Sequence, residues 1–156
     1  MAPIRDVFEL FVKSFQDCYI PNDNVTVDEQ LVTFRGRCPF RQFIPSKPGK
    51  YGIKIWALCD SVTSYVYNMQ VYTGREEGQN REVNQGQRVV LDLISGLEKS
   101  ARNVTCDIFT SISLARELDK RQVTLLGTVL KNKELPTKLT ETRDRQQKHF
   151  YLCISR

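Results

Sequence analysis

The segment 53–59 constrains the fold most, because it is almost continuously apolar. A short apolar run of this kind is typical of a central strand that is buried on both faces. The chain has 156 residues, of which 40% are hydrophobic. A chain of that size fits one domain and buries about 70% of the surface that its unfolded form exposes. We therefore predict a sheet with residues 53–59 at its centre.

Four further strands are predicted from β-rich runs between turn-forming residues. They cover residues 25–34, 65–72, 104–107 and 123–130. Residues 60–64 form a short turn, so we expect the strands on either side of it to make a hairpin.

Helices are predicted before and between these strands. Apolar side chains recur on one face over residues 4–19, which predicts an amphipathic helix that packs on the rest of the chain. Two more helices are expected, one from a cap at Asn84 to about Lys99 and one from a cap at Ser113 to about Arg121. After the first helix, the order is three strands, helix, strand, helix, strand. This is the order of the ribonuclease H-like fold, an α/β fold in which βαβ units extend a three-stranded antiparallel meander.

Two acidic residues lie on predicted strands, Asp28 on the first and Asp107 at the end of the fourth. The first and fourth strands are neighbours in a ribonuclease H-like sheet, so the two carboxylates would converge. Each interrupts apolar sequence, which is costly without a partner. The open alternative is that each is an ordinary Asp in a strand-end turn or a helix cap.

Converging carboxylates are what metal-dependent phosphodiester chemistry needs. Two divalent cations lie about 3.5–4 Å apart in such sites, and one activates the nucleophile while the other stabilises the leaving oxygen. Mg²⁺ is the natural cation because it prefers hard oxygen ligands, and Mn²⁺ is the substitute. On the residues alone, Asp28 and Asp107 are candidate catalytic ligands of such a cation, with weak binding if they bind at all, and the alternative of ordinary strand-end aspartates stays open.

Residues 35–54, called the basic block, carry a net charge of +6 and no acid. Twenty residues without an acid is unusual for a merely solvated surface, and a surface of this kind attracts phosphates. Four aromatic residues within or beside it, Phe34, Phe40, Phe43 and Tyr51, supply apolar or stacking surface. The open alternative is a basic hairpin that only braces the sheet. The predicted DNA-binding residues are Arg35, Arg37, Arg41, Lys47, Lys50 and Lys54.

The sequence disfavours a zinc site, an oxidising location and a membrane-spanning segment. The five cysteines form no Cys-x-x-Cys pair, and the one histidine, His149, stands alone, so no zinc spacing exists. The odd cysteine count favours a reduced, intracellular protein. No run of about 18 apolar residues suggests a membrane span.

Several segments resemble the core of piggyBac transposases. They are DEQ at 28–30, FRGRCPFRQFIPSKPGKYGIK at 34–54, LCDS at 58–61, RNVTCD at 102–107, FTS at 109–111 and GT…KNK at 127–133, with APIRDVFELF at 2–11 leading into them. The resemblance implies a DDD-type transposase with a ribonuclease H-like fold, nuclear location, DNA as partner and Mg²⁺ as cofactor. It also implies that Asp28 and Asp107 match the first and second metal-binding Asp. In the intact ancestor, water and then a DNA 3′-hydroxyl would be the nucleophile.

The chain departs from the family pattern at three points. One residue is missing after Asp107, where Ile108 precedes FTS, and Leu130 replaces the Arg of the GT-x-R-x-NK motif. No third catalytic Asp is found, because Glu141 and Asp144 lie in a polar tail without matching context.

We therefore expect a truncated catalytic core that is inactive alone. Its expected parts are an N-terminal helix at 1–20, a partial ribonuclease H-like transposase domain at 21–136 and a polar tail at 137–156. The alternatives are a transposon-derived, non-catalytic DNA-binding or interaction module, and a decayed reading frame that makes no stable protein.

Overall fold

The computed structural model describes residues 4–74 and 82–129. The predicted tail at 137–156, the position of Leu130 and most of the loop before α2 lie outside the described residues. The elements in chain order are α1 (Arg5–Cys18), β1 (Asn24–Thr33), β2 (Gln42–Phe43), β3 (Tyr51–Asp60), β4 (Val66–Val71), α2 (Gln85–Leu93), β5 (Asn103–Cys106), α3 (Ile112–Lys120) and β6 (Thr124–Gly127).

The strands form one mixed sheet in the order β2-β3-β1-β5-β6, with β4 also paired to β3. β1 runs antiparallel to β3 and parallel to β5, and β5 runs parallel to β6. The α/β prediction and the predicted β3–β4 hairpin are thus confirmed. The strands that carry Asp28 and lead to Asp107 are neighbours, as predicted.

The core lies between the sheet and the helices α2 and α3. Its members are apolar and buried: from the strands Val25, Val27, Leu58, Val104 and Leu125, and from the helices Val89, Val90, Leu93, Leu114 and Leu118. The prediction that 53–59 is buried on both faces is wrong. Trp56 and Leu58 are buried, but Ala57 and Cys59 stay half-buried, because α2 and α3 both contribute to the core on the other face of β3.

Of the two predicted helix caps, Asn84 occupies the predicted N-cap position of α2, whereas Ser113 does not cap α3. Asn84 precedes α2 in a left-handed conformation and its side chain makes no capping bond. α2 ends at Leu93 rather than near Lys99, since the chain turns at Gly96, whose φ of +89° does not continue a helix. α3 is capped by Ser111, whose hydroxyl accepts a hydrogen bond from the Leu114 amide at 3.2 Å. The hydroxyl of Ser113 instead donates to Gln87.

α1 packs on the sheet through its C-terminal half. The rings of Phe15 and Tyr19 contact Tyr65, whose hydroxyl donates to the Phe15 carbonyl at 3.1 Å. None of its residues is fully buried. No helix in the described ranges 4–74 and 82–129 is long and apolar enough to cross a membrane.

Candidate functional site

Strand register places Asp28 and Asp107 next to each other. Val27 of β1 is paired with Cys106 of β5, and both are buried. The next residue on each strand is an exposed Asp. Since β1 and β5 run parallel, the two acids lie side by side where β5 ends, halfway along β1.

The two acids line a common cavity of about 250 Å³. Three hydroxyl-bearing residues on or directly after β1, β5 and β6 also line it, namely Thr26, Thr105 and Thr128. We call Asp28, Asp107 and these three threonines the carboxylate edge. The Asp28 carboxylate accepts one bond, from the Glu29 amide. The Asp107 carboxylate makes no hydrogen bond or ion pair with any residue that the structure describes.

The turn after Asp107 is fixed by close packing. The Thr110 hydroxyl donates to the Cys106 carbonyl at 2.8 Å, and the Thr110 amide donates to the Asp107 carbonyl at 3.1 Å. Gly127 of β6 lies against this turn, and a Cβ there would collide with the Cys106 carbonyl oxygen and the Thr110 hydroxyl. Glycine is therefore required at position 127, and its absence of a side chain lets β6 support the turn that carries Asp107.

Two cysteines lie beside the acids and stay protonated. Burial raises the pKa of the Cys59 thiol, and the negative charge of Asp28 adds to the effect. Burial likewise raises the pKa of the Cys106 thiol, which Asp107 reinforces. Neutral thiols are poor partners for a hard cation, so the oxygens of the carboxylate edge are its available donors.

The donor set fits part of a divalent-cation site. Two carboxylates with neighbouring hydroxyls and room for water match the oxygen preference of Mg²⁺. Within residues 4–74 and 82–129, no group of three or more His, Cys, Asp or Glu is arranged to hold a metal. The edge thus offers two carboxylate ligands and leaves the remaining positions to water or substrate.

Another carboxylate, that of Asp60 at the end of β3, is closed off from any ligand. It is 1% exposed and accepts bonds from the amides of Asn22, Val62 and Thr63. These hydrogen bonds hold the pKa of Asp60 far below its usual range despite burial, and the bond from the Asn22 amide has the largest effect. Sequence reasoning assigned Asp60 no role, although its place before the hairpin turn is where an Asp commonly bonds to backbone amides.

The basic block divides into engaged and free cations. Arg35, Arg37 and Lys50 are exposed, and their side chains make no hydrogen bond or ion pair with the described residues. The Arg41 guanidinium donates to the carbonyls of Arg35 and Gly36 at 3.2 and 3.3 Å. Residues 35–39 and Arg41 line an open cavity of about 450 Å³.

The other two lysines are tied to Glu29. Lys54 forms an ion pair with the Glu29 carboxylate at 2.6 Å, with the two side chains 20% and 16% exposed. Its ammonium also lies over the Trp56 ring. The Lys47 ammonium donates to the Glu29 carbonyl at 3.1 Å. Glu29 is a structural residue that the sequence analysis did not identify, because its partner is visible only once the β1–β3 register is known.

Comparison with known proteins identifies the class. A family model described as Transposase IS4 matches residues 1–153. The chain therefore belongs to this transposase family.

Two relatives narrow the assignment. PiggyBac transposable element-derived protein 3 of Homo sapiens is 30% identical over 122 residues, which are 73% of this chain and 20% of that protein. The cryo-EM structure of a piggyBac transposase synaptic complex with hairpin DNA matches with a TM-score of 0.80 at 45% identity, covering 92% of this chain and 30% of the solved chain. The chain thus corresponds to part of a piggyBac transposase, and the predicted family is confirmed.

Proposed function

We propose that this chain is the part of a piggyBac-like catalytic core that binds DNA phosphates and holds divalent cations. In this proposal its sheet is ribonuclease H-like. The observation that carries it is that Asp28 and Asp107 each follow one member of the paired residues Val27 and Cys106, where β5 ends beside the middle of the parallel strand β1. The solved relative is a synaptic complex with hairpin DNA, which supports DNA as the partner here. The family membership also supports a nuclear location.

In the proposed site, Asp28 and Asp107 would hold Mg²⁺ or Mn²⁺. A bound cation would activate the attacking oxygen and neutralise the leaving oxygen of a phosphodiester. The chain's own residues supply the rest. Gly127 and Thr110 fix the turn of Asp107, and the exposed Arg35, Arg37 and Lys50 attract the DNA backbone.

Mn²⁺ binding tests the carboxylate edge. We expect a dissociation constant of millimolar order, about −4 kcal/mol, because only two carboxylates contribute. Calorimetry or Mn²⁺-induced water relaxation should show at least a severalfold weaker affinity in Asp28→Asn and Asp107→Asn. Asp6→Asn on α1 is the matched control and should bind as the wild type does. Equal binding by all four proteins would remove the site.

DNA binding tests the free cations. The triple variant Arg35→Gln, Arg37→Gln, Lys50→Gln should weaken duplex binding of every sequence alike. It should flatten the log–log salt dependence by roughly three units, about one per phosphate contact. The control loses the same charge from exposed helix positions: Arg5→Gln, Lys13→Gln, Arg116→Gln. Fluorescence anisotropy at several salt concentrations distinguishes the two triple variants. Identical salt dependence of DNA binding for both would contradict the proposal.

The second candidate function is a non-catalytic DNA-binding or interaction module. It is favoured by the two-carboxylate donor set, since small misplacements of a catalytic group can cost about a hundredfold in rate. We therefore expect the isolated chain not to nick or join DNA. Mg²⁺-dependent cleavage that disappears in Asp107→Asn would contradict this expectation and establish the catalytic alternative.

A further inference from the structure

The basic block carries an exposed pair of aromatic rings. Phe43 of β2 is the cross-strand partner of Tyr51 of β3, and their ring centroids are 4.7 Å apart with a tilt of 34°. Phe43 is 55% exposed and Tyr51 is 48% exposed. A pair of this kind stabilises a hairpin by itself, but half of its surface remains available to a ligand.

Positively charged side chains lie around these rings. The Arg41 guanidinium lies 5.5 Å from the centre of the Tyr51 ring and also holds the carbonyls of Arg35 and Gly36. It therefore connects the ring pair to the cavity that Arg35 and Arg37 line. Lys50 precedes Tyr51 and is exposed. Aromatic surface beside a positively charged groove is the combination that binds single-stranded nucleic acid.

We propose that Phe43 and Tyr51 form a stacking platform for an unpaired DNA base, whose flanking phosphates lie against Arg35, Arg37 and Lys50. This rests on the proposed DNA-binding function and goes beyond it, because duplex DNA keeps its bases stacked inside the helix and offers the rings nothing to stack on. Charge complementarity selects this occupant, since each of the six charged side chains in the block is positive.

The test uses three ligands, of which the first two differ only in their bases. One is an oligothymidine of about ten nucleotides, the second is an abasic strand of equal length and charge, and the third is a duplex. The double variant Phe43→Leu, Tyr51→Leu should bind oligothymidine about tenfold more weakly, as expected from the loss of base stacking. It should bind the abasic strand and the duplex within about twofold of the wild type.

Two further variants keep the test independent of folding. Tyr51→Phe retains the ring and should bind oligothymidine as the wild type does. Phe43→Trp places a reporter on the platform, and its fluorescence should be quenched by oligothymidine but not by the abasic strand. The native Trp56 is buried and 2% exposed, so it contributes a constant background.

The outcomes separate this inference from the function it rests on. If the double leucine variant keeps wild-type affinity for oligothymidine, or weakens equally on the abasic strand, the platform is refuted while DNA binding stands. If the wild type binds none of the three ligands, both the platform and the proposed DNA-binding function are refuted.

Discussion

The carboxylate edge lies partly on β1 and the basic block follows that strand in the chain, but the two are held in place by different interactions. Asp28 follows a stretch of β1 that is paired on both sides, with β3 and with β5. β5 ends at Cys106, so the second half of β1 is paired with β3 alone and leads into the basic block. The adjacent acids Asp28 and Glu29 point to opposite faces, and among the described residues only Glu29 of the two forms an ion pair, with Lys54.

This difference between the two regions shows which charged side chains are available to a ligand. At the carboxylate edge, buried neighbours fix the backbone and leave the carboxylate oxygens open. In the basic block, Arg41 braces its own loop while Lys47 and Lys54 bind Glu29 of β1, which leaves Arg35, Arg37 and Lys50 open. Charge counted from sequence treats the six cations as equal, whereas the structure assigns half of them to support.

The largest expected effect is a difference in how well the two regions tolerate one added methyl group. Gly127→Ala should lower the free energy of unfolding by about 3 kcal/mol, because the added Cβ meets backbone and a buried hydroxyl that cannot move aside. Gly36→Ala in the basic block should cost less than about 0.5 kcal/mol, since the Cβ meets only the exposed ring of Phe34. Urea unfolding measures both. Equal losses would show that the carboxylate edge is no more tightly packed than the loop.

The second prediction contrasts the closed carboxylate of Asp60 with the open edge. Its folded-state pKa is lowered, so its hydrogen bonds stabilise the fold above the ordinary Asp pKa and that stability is lost as pH falls. Asp60→Asn should therefore be less stable than the wild type at pH 7 and should show a flatter loss of stability between about pH 5 and pH 2. Tyr19→Phe, which removes one donor to Asp60, should give a smaller loss at pH 7. Parallel pH profiles for wild type and Asp60→Asn would contradict the assignment.

The third prediction separates supporting from ligand-facing lysines within the basic block. Lys54→Gln should cost about 1–2 kcal/mol, because it leaves the mostly buried Glu29 carboxylate unpaired, and should change DNA affinity less than about twofold. Lys50→Gln should change stability by less than about 0.5 kcal/mol and should flatten the salt dependence of DNA binding by about one unit. Thermal unfolding measures the changes in stability, and fluorescence anisotropy measures the changes in DNA binding. The reverse pattern would mean that the ion pair with Glu29 opens on DNA.

The order of the longer elements could be predicted from local pattern, and the proximity of Asp28 and Asp107 from the fold that this order suggests. Alternation of Val25 and Val27 with polar residues fixes the face of Asp28, and Val104 and Cys106 do the same before Asp107. That these two residues bind metal, and that the block binds DNA, stay predictions that the variants above test.

What could not be predicted depends on register and on contacts between distant segments. β2 has two residues, too few to show a period, and forms because Phe43 pairs with Tyr51. The roles of Glu29 and Asp60 require partners 25 and 38 positions away in the chain. The prediction that β3 is buried on both faces is wrong because an apolar composition does not show how many layers cover a sheet.

The smallest expected effect concerns the helix that begins just after Asp107. Ser111 and Ser113 both stand near its start, but only Ser111 has an extended backbone and accepts the Leu114 amide. Ser111→Ala should lower the free energy of unfolding by about 1 kcal/mol, as is usual for the loss of a cap. Ser113→Ala removes an exposed bond to Gln87 and should cost less than about 0.5 kcal/mol. If the two losses are equal, or Ser113 is the larger, the cap does not support the turn of Asp107, and the rigidity of the carboxylate edge comes from Thr110 and Gly127 alone.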